Sequence, residues 1–115
     1  MRRALYISHM DAKAREFRNL VAEQLDSLPN LRIKAMFGGF GLYADEVFFA
    51  IIHGEKLYFR TNEETRKRYE AAGMKVFTTP GRKTALRKYY EVPMAVIERR
   101  RELTIWAREA LKASA

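Results

Sequence analysis

Few residues in this 115-residue chain are equipped for chemistry. There are two histidines, His9 and His53, and no cysteine. Disulfides, thiolate zinc sites and cysteine nucleophiles are thereby excluded, and the composition fits a reducing compartment. Ser8, Ser27 and Ser114 stand at the ends of predicted elements, and of these only Ser8 has a histidine beside it. Asp45-Glu46 offers two adjacent carboxylates, but neighbours on a tight turn point apart and stay hydrated, which does not prepare either for acid-base work. Gly38-Gly39-Phe40-Gly41 has the glycine density of a phosphate-cradling loop, yet it lacks the following Lys-Ser/Thr and leads into a strand-like run instead of a helix. Glycines there suit a bulge or tight turn, where positive φ or close backbone approach is needed. His53, beside Gly54-Glu55, reads as a turn-facing residue. No catalytic residue, cofactor or metal ligand is assigned; the enzyme-like alternative is a small-molecule pocket near Tyr43, His53 and Tyr58.

The remaining chemistry is positive charge. The chain carries 22 Lys and Arg against 14 Asp and Glu, a net charge of +8 with a pI near 10.0. The first 59 residues are almost neutral, at +1, and residues 60–115 hold the other +7. The excess gathers in Arg66-Lys67-Arg68, Arg82-Lys83, Arg87-Lys88 and Arg99-Arg100-Arg101, interleaved with Tyr69, Phe77, Tyr89 and Tyr90. Lys and Arg spread over a surface contact phosphates, and rings stack on unpaired bases. These ten basic residues are therefore the candidate contacts for nucleic acid or an acidic partner. The competing reading is a solvated face that serves solubility. No helix-turn-helix, zinc-finger, RRM or KH signature is present, so any DNA contact is expected to have low sequence specificity.

These residues need elements to position them. With 48% hydrophobic residues the chain can bury a substantial core. Phe17, Leu20, Val21, Leu25 and Leu28 follow helical spacing and predict a helix from Asp11 to Leu28, stopped by Pro29-Asn30. Leu31 to Phe37 alternates as a half-buried strand, Phe40 to Ala44 follows the glycines, and the turn Asp45-Glu46 leads to the most buried strand, Val47 to Ile52. Lys56 to Arg60 completes a four-strand meander. Thr61-Asn62 caps a short helix over 63–72, ended by Gly73. Two strands, Lys75–Thr79 and Thr84–Val92, flank the Pro80-Gly81 turn, and Pro93 opens a last helix over 93–113. Arg100 would project into the apolar arc of that helix, where an arginine either snorkels or marks a contact site. The order predicts an α+β fold: an antiparallel sheet with flanking helices, in the order helix, four strands, helix, two strands, helix. Ser8-His9-Met10 resembles a cloning scar, so residues 1–10 are expected to be a non-native or disordered extension of a domain over 11–115. The longest apolar run is strand-sized and no signal peptide is evident, so a cytoplasmic protein without a membrane partner is expected.

Met36-Phe37-Gly38-Gly39-Phe40-Gly41-Leu42-Tyr43, then Phe48-Phe49-Ala50-Ile51, Leu57-Tyr58-Phe59-Arg60-Thr61-Asn62, Tyr89-Tyr90-Glu91-Val92-Pro93 and Trp106-Ala107-Arg108-Glu109-Ala110-Leu111 together resemble the N-terminal domain of the TfoX (Sxy) family, over about residues 11 to 113. The resemblance implies a secretion-chaperone-like α+β domain with a curved antiparallel sheet. It also implies a non-enzymatic regulator of competence and DNA transformation, acting with a transcription factor of the cyclic-AMP receptor protein type. Phe37, Gly38, Gly39, Gly41 and Tyr43 transfer as signature positions with a structural role. Named members usually carry a second domain of helix-hairpin-helix type, and with the chain ending at Ala115 a stand-alone N-terminal domain is expected. The expected function is a regulatory domain that binds a transcription factor, with or without DNA, through its basic C-terminal half. The alternative is a dimerising protein-interaction adaptor with no nucleic-acid role.

Overall fold

The apolar periodicities resolve into two faces of one sheet. A computed structural model describes residues 2–36, 38–78 and 87–115, with side chains from residue 12 onward. Its elements are α1 (Arg2–Gln24), β1 (Arg32–Met36), β2 (Gly39–Ala44), β3 (Val47–His53), β4 (Lys56–Arg60), α2 (Glu63–Ala71), β5 (Tyr89–Glu91), α3 (Met94–Ile97) and α4 (Arg100–Ser114). The strands form an antiparallel sheet in the order β1-β2-β3-β4-β5. The fold is the α+β class expected, an antiparallel sheet with flanking helices.

Turn chemistry sets the sheet's registers. Asp45 and Glu46, at φ 48° and 68°, make a two-residue hairpin turn with both central residues left-handed. Asn30 steadies that turn by donating from Nδ2 to Asp45 Oδ1 at 2.6 Å. Opposite Leu42 and Tyr43 the ladder slips, because Ala50 pairs with Leu42 and Phe48 with Tyr43, leaving Phe49 as the extra residue of a bulge. Phe49 and Ala50 consequently both face the core, fully buried.

That core lies between the sheet and the helices. Phe17 and Val21 of α1 and Leu25 just after it meet Leu42, Phe49, Ile52, Leu57 and Phe59 of the sheet and Leu103, Trp106, Ala107 and Ala110 of α4. Each fully buried Leu or Phe stabilises by about 1.5–3 kcal/mol. The opposite face of the sheet carries a smaller cluster of Ile51, Phe77 and Tyr89, flanked by Phe48 and Tyr58.

Several element boundaries differ from expectation. α1 begins at Arg2, ahead of the predicted start at Asp11, and ends at Gln24, short of Leu28; Leu25 to Leu28 continue as turns held by Leu25 N–H to Val21 C=O and Leu28 N–H to Leu25 C=O. Lys75–Thr79 is not a strand in its described part: it contributes one bridge, Val76 to Tyr90. Of Thr84–Val92, only Tyr89–Glu91 is a strand, and residues 84–86 lie outside the described residues.

The last predicted helix, 93–113, is in fact two. Arg99, at φ −111° and ψ 102°, is extended and interrupts it. The break is accommodated because α1 and the turn after it supply partners on either side of it. Gln24 Nε2 donates to the Ile97 carbonyl at 2.9 Å, and Arg100 Nη1 donates to Asp26 Oδ1 at 2.6 Å. A continuous helix would turn Arg100 toward the side of Val96, four residues earlier. The break rotates it outward to solvent and to Asp26, which removes the conflict that its place on an apolar arc implied.

Candidate functional site

The end of β4 and the start of α2 hold the site. Thr61, between them, is a buried polar residue whose N–H and Oγ1 both donate to the Lys88 carbonyl, each at 2.7 Å. These two bonds tie residues 87–88 to the β4–α2 junction across 27 positions of sequence. Arg60↔Tyr89 register in the β4–β5 ladder fixes the same approach from the sheet side. Asn62 then caps α2: its side chain accepts from Thr65 N–H at 2.8 Å, while Thr65 Oγ1 accepts from Asn62 N–H at 3.0 Å. A reciprocal cap of this kind fixes the first turn of the helix and so the direction of Arg66.

The result is an open cleft of about 230 Å³ lined by Arg60, Thr61, Asn62, Glu63, Arg66, Arg87, Lys88 and Ala113. Four cations face one carboxylate, that of Glu63. Arg66 Nε lies 3.7 Å from Glu70, a loose exposed pair. Arg60 stacks its guanidinium 5.8 Å from the centroid of the Tyr89 ring, and its Nε is buried without a hydrogen-bond partner among the described residues. Burial pushes the Tyr89 phenol up from its ordinary value, opposed by the neighbouring Arg60.

The basic residues singled out in sequence fall into different situations. Arg66, Arg87 and Lys88 meet in the cleft. Lys67 is exposed on α2. Arg68 points elsewhere: it pairs with Glu109 and lies 4.2 Å over the Trp106 ring, so it joins α2 to α4. Burial pushes the phenol of Tyr69 well up, and that ring meets Trp106 edge-on at 4.9 Å in the same joint. Arg99 is the exposed cap residue of α4, Arg100 is engaged by Asp26, and Arg101 is exposed. Arg82 and Lys83 lie outside the described residues. Arg60 was not among the expected contacts; the signal for it was its outward position on an alternating strand immediately before the Thr61-Asn62 cap.

Signature positions sit at the β1–β2 hairpin. Phe37 lies outside the described residues, and Gly38 turns at φ +76°. Gly39 lets the backbone of β2 approach β3: a Cβ there would stand 2.2 Å from the Ile52 carbonyl oxygen. Gly41 makes room for Met36 and Phe48. Tyr43 packs on Phe48 with ring centroids 5.2 Å apart, and Lys34 Nζ lies 5.2 Å from the Tyr43 centroid. Near Tyr43, His53 and Tyr58, the place of the alternative small-molecule pocket, aromatic rings pack on one another. Phe48 stands between Tyr43 and Tyr89, and Phe77 contacts both Tyr58 and His53.

Fold and cleft together define a small α+β domain with a cation-lined cleft at the entrance of α2, and no helix among the described residues is long and apolar enough to cross a membrane. The family model of the TfoX N-terminal domain matches residues 23–114, and the chain belongs to that family, a competence-related family of regulators. No curated protein matches the chain.

Proposed function

We propose that this domain is a non-enzymatic regulatory module that binds a transcription factor of the cyclic-AMP receptor protein type, contacting DNA phosphates alongside it, through the cationic surface at α2. The observation that supports this most is the convergence of Arg60, Arg66, Arg87 and Lys88, from three separate segments, around one open cleft. Lys67, exposed on α2, extends the charge along the helix. Such a surface attracts polyanions without reading bases, because phosphate contacts position and base-edge contacts specify. Membership in a family of regulators agrees with binding in place of catalysis.

Titrating the domain with duplex DNA and with the receptor protein across a salt series tests the reading. Replacing Arg87 and Lys88 by Ala should weaken DNA binding and make the log–log salt dependence shallower by about 0.9 for each phosphate left without its cation. Absence of binding to both partners at low salt would overturn it.

The alternative, a dimerising adaptor, is favoured by one observation: the outer edge of β1 has no strand partner among the described residues. An open edge is a template for a second strand. Arg32 and Lys34, exposed along β1, blunt it. Sedimentation showing only monomer at high micromolar concentration would remove the homodimer.

A further inference from the structure

We propose that the α2 cleft is a binding site for a single phosphate monoester dianion, the terminal phosphate of a small molecule. This deepens the reading above and rests on the cleft being the anion-binding surface.

Three features of the cleft point to that ligand. The first is the orphaned Arg60 Nε, which is shielded from water and has no acceptor among the described residues. A buried charged donor left unpaired is costly; an anion in the cleft that Arg60 lines, held by the outer N–H groups of the same guanidinium, offsets that cost by neutralising the charge. The second is charge: Arg60, Arg66, Arg87 and Lys88 against Glu63 leave a formal excess of three positive charges. A phosphate monoester carries about −1.5 to −2 at neutral pH, against about −1 for a backbone diester, so the pocket favours the monoester. Guanidinium forks match phosphate oxygens bidentately, and three of the four cations are arginines. The third feature is size. About 230 Å³ is room for a phosphate and part of the group carrying it, since a water's share of liquid volume is about 30 Å³.

Competing engagements are weak. Arg87 and Lys88 form no ion pair among the described residues, and Arg66 holds Glu70 only at 3.7 Å. Thr61 spends its hydroxyl on the Lys88 carbonyl, so it shapes the site and does not bind the ligand. Glu63 opposes an incoming dianion, which gives the proposal a test of sign.

Isothermal titration of the whole chain, in buffer free of phosphate and sulfate, would use inorganic phosphate, adenosine 5′-monophosphate and adenosine. Both phosphate-bearing probes should bind and adenosine should not. Equal affinity for the two means that the phosphoryl group alone is read; tighter adenosine 5′-monophosphate means that the ligand is a nucleotide. Arg60→Gln should weaken phosphate binding on the order of tenfold, the loss of one charge-assisted bond. Arg87→Ala, at an exposed side chain, should weaken it comparably and keeps the test valid if Arg60→Gln fails to fold. Glu63→Gln should tighten binding severalfold. Adenosine binding as well as its phosphate, or neither phosphate probe binding, overturns the proposal. Loss of phosphate binding beside intact DNA or receptor binding overturns this inference alone, whereas phosphate binding without DNA or receptor overturns the partner reading alone.

Discussion

Alanine at Gly39 should cost far more stability than alanine at Gly38, although the two are neighbours in the same signature. A Cβ at Gly39 would lie 2.2 Å from the Ile52 carbonyl oxygen and 3.2 Å from its carbon, and both are backbone atoms that cannot rotate away. Ordinary carbon–oxygen contacts between strands are about 3.3–3.6 Å, so β2 and β3 must part by about 1 Å at that end. Phe40↔Ile52 is the terminal ladder pair there. A backbone shift of this sort costs about 1–3 kcal/mol and a broken ladder bond about 1 kcal/mol more, together about 2–4 kcal/mol. Gly38 has φ +76° and nothing within 4 Å of an added Cβ, so only the left-handed backbone matters and the cost is about 1 kcal/mol. At Gly41 the Cβ would meet Met36 Sδ at 2.8 Å, the end of a flexible chain that can swing aside. Gly41→Ala should cost about 1 kcal/mol, from the modest overpacking, and Met36→Ala should relieve part of it. Urea unfolding of the single variants and of the Met36/Gly41 double variant measures all of this. Equal losses at Gly38 and Gly39, or strict additivity of Met36→Ala with Gly41→Ala, would refute the packing account of the signature.

Two further predictions concern the joint between α2 and α4 and the buried phenols. Arg68→Ala should lower stability by about 1–2 kcal/mol, since a half-exposed ion pair gives about 0.2–1 kcal/mol and a cation over Trp about 0.5–1 kcal/mol; Arg68→Lys should restore less than half, and urea midpoints for both variants check it. Burial raises the Tyr58, Tyr69 and Tyr89 phenols above the ordinary value of 10.0, so above pH 10 the folded state holds protons that the unfolded chain releases. The stability present below pH 10 is therefore lost as pH rises, by at most about 1.4 kcal/mol per pH unit for each such tyrosine. Melting temperatures between pH 8 and pH 11 should fall, and Tyr69→Phe should flatten the decline; a flat profile in the parent protein would contradict the burial.

Most of the sheet was legible because its signals are local. Alternation in Arg32–Met36 and Lys56–Arg60 and the turns at Asp45-Glu46 and Gly54-Glu55 each determine a strand or hairpin from a few adjacent residues. What stayed hidden depends on distant partners. In Val47–His53 a continuous apolar run erases the period of two, so the bulge at Phe49 has no sequence mark. The interruption at Arg99 carries neither Pro nor Gly; what accepts it is Gln24 and Asp26, more than seventy positions earlier. Arg100 on an apolar arc was the one visible trace, a local rule broken because the helix there is not continuous.

The same distinction governs the charges. In the sequence, Arg66-Lys67-Arg68 and Arg99-Arg100-Arg101 are equivalent triplets. In the fold each is divided by what its members meet. Arg68 is drawn off by Glu109, 41 positions away, and Arg100 by Asp26, 74 positions away. Arg66, in contrast, turns into a cleft whose other cations come from β4 and from the turn before β5. A positive run is thus three side chains on different faces, and its net charge overstates what any ligand encounters. Binding should therefore follow the pairing state of each arginine. Neutralising Arg68 should act on stability, and neutralising Arg87 should act on anion affinity, although both removals change the net charge by the same amount. An effect of Arg68→Ala on anion affinity equal to that of Arg87→Ala, in protein that remains folded, would mean that the overall field and not the cleft captures the ligand.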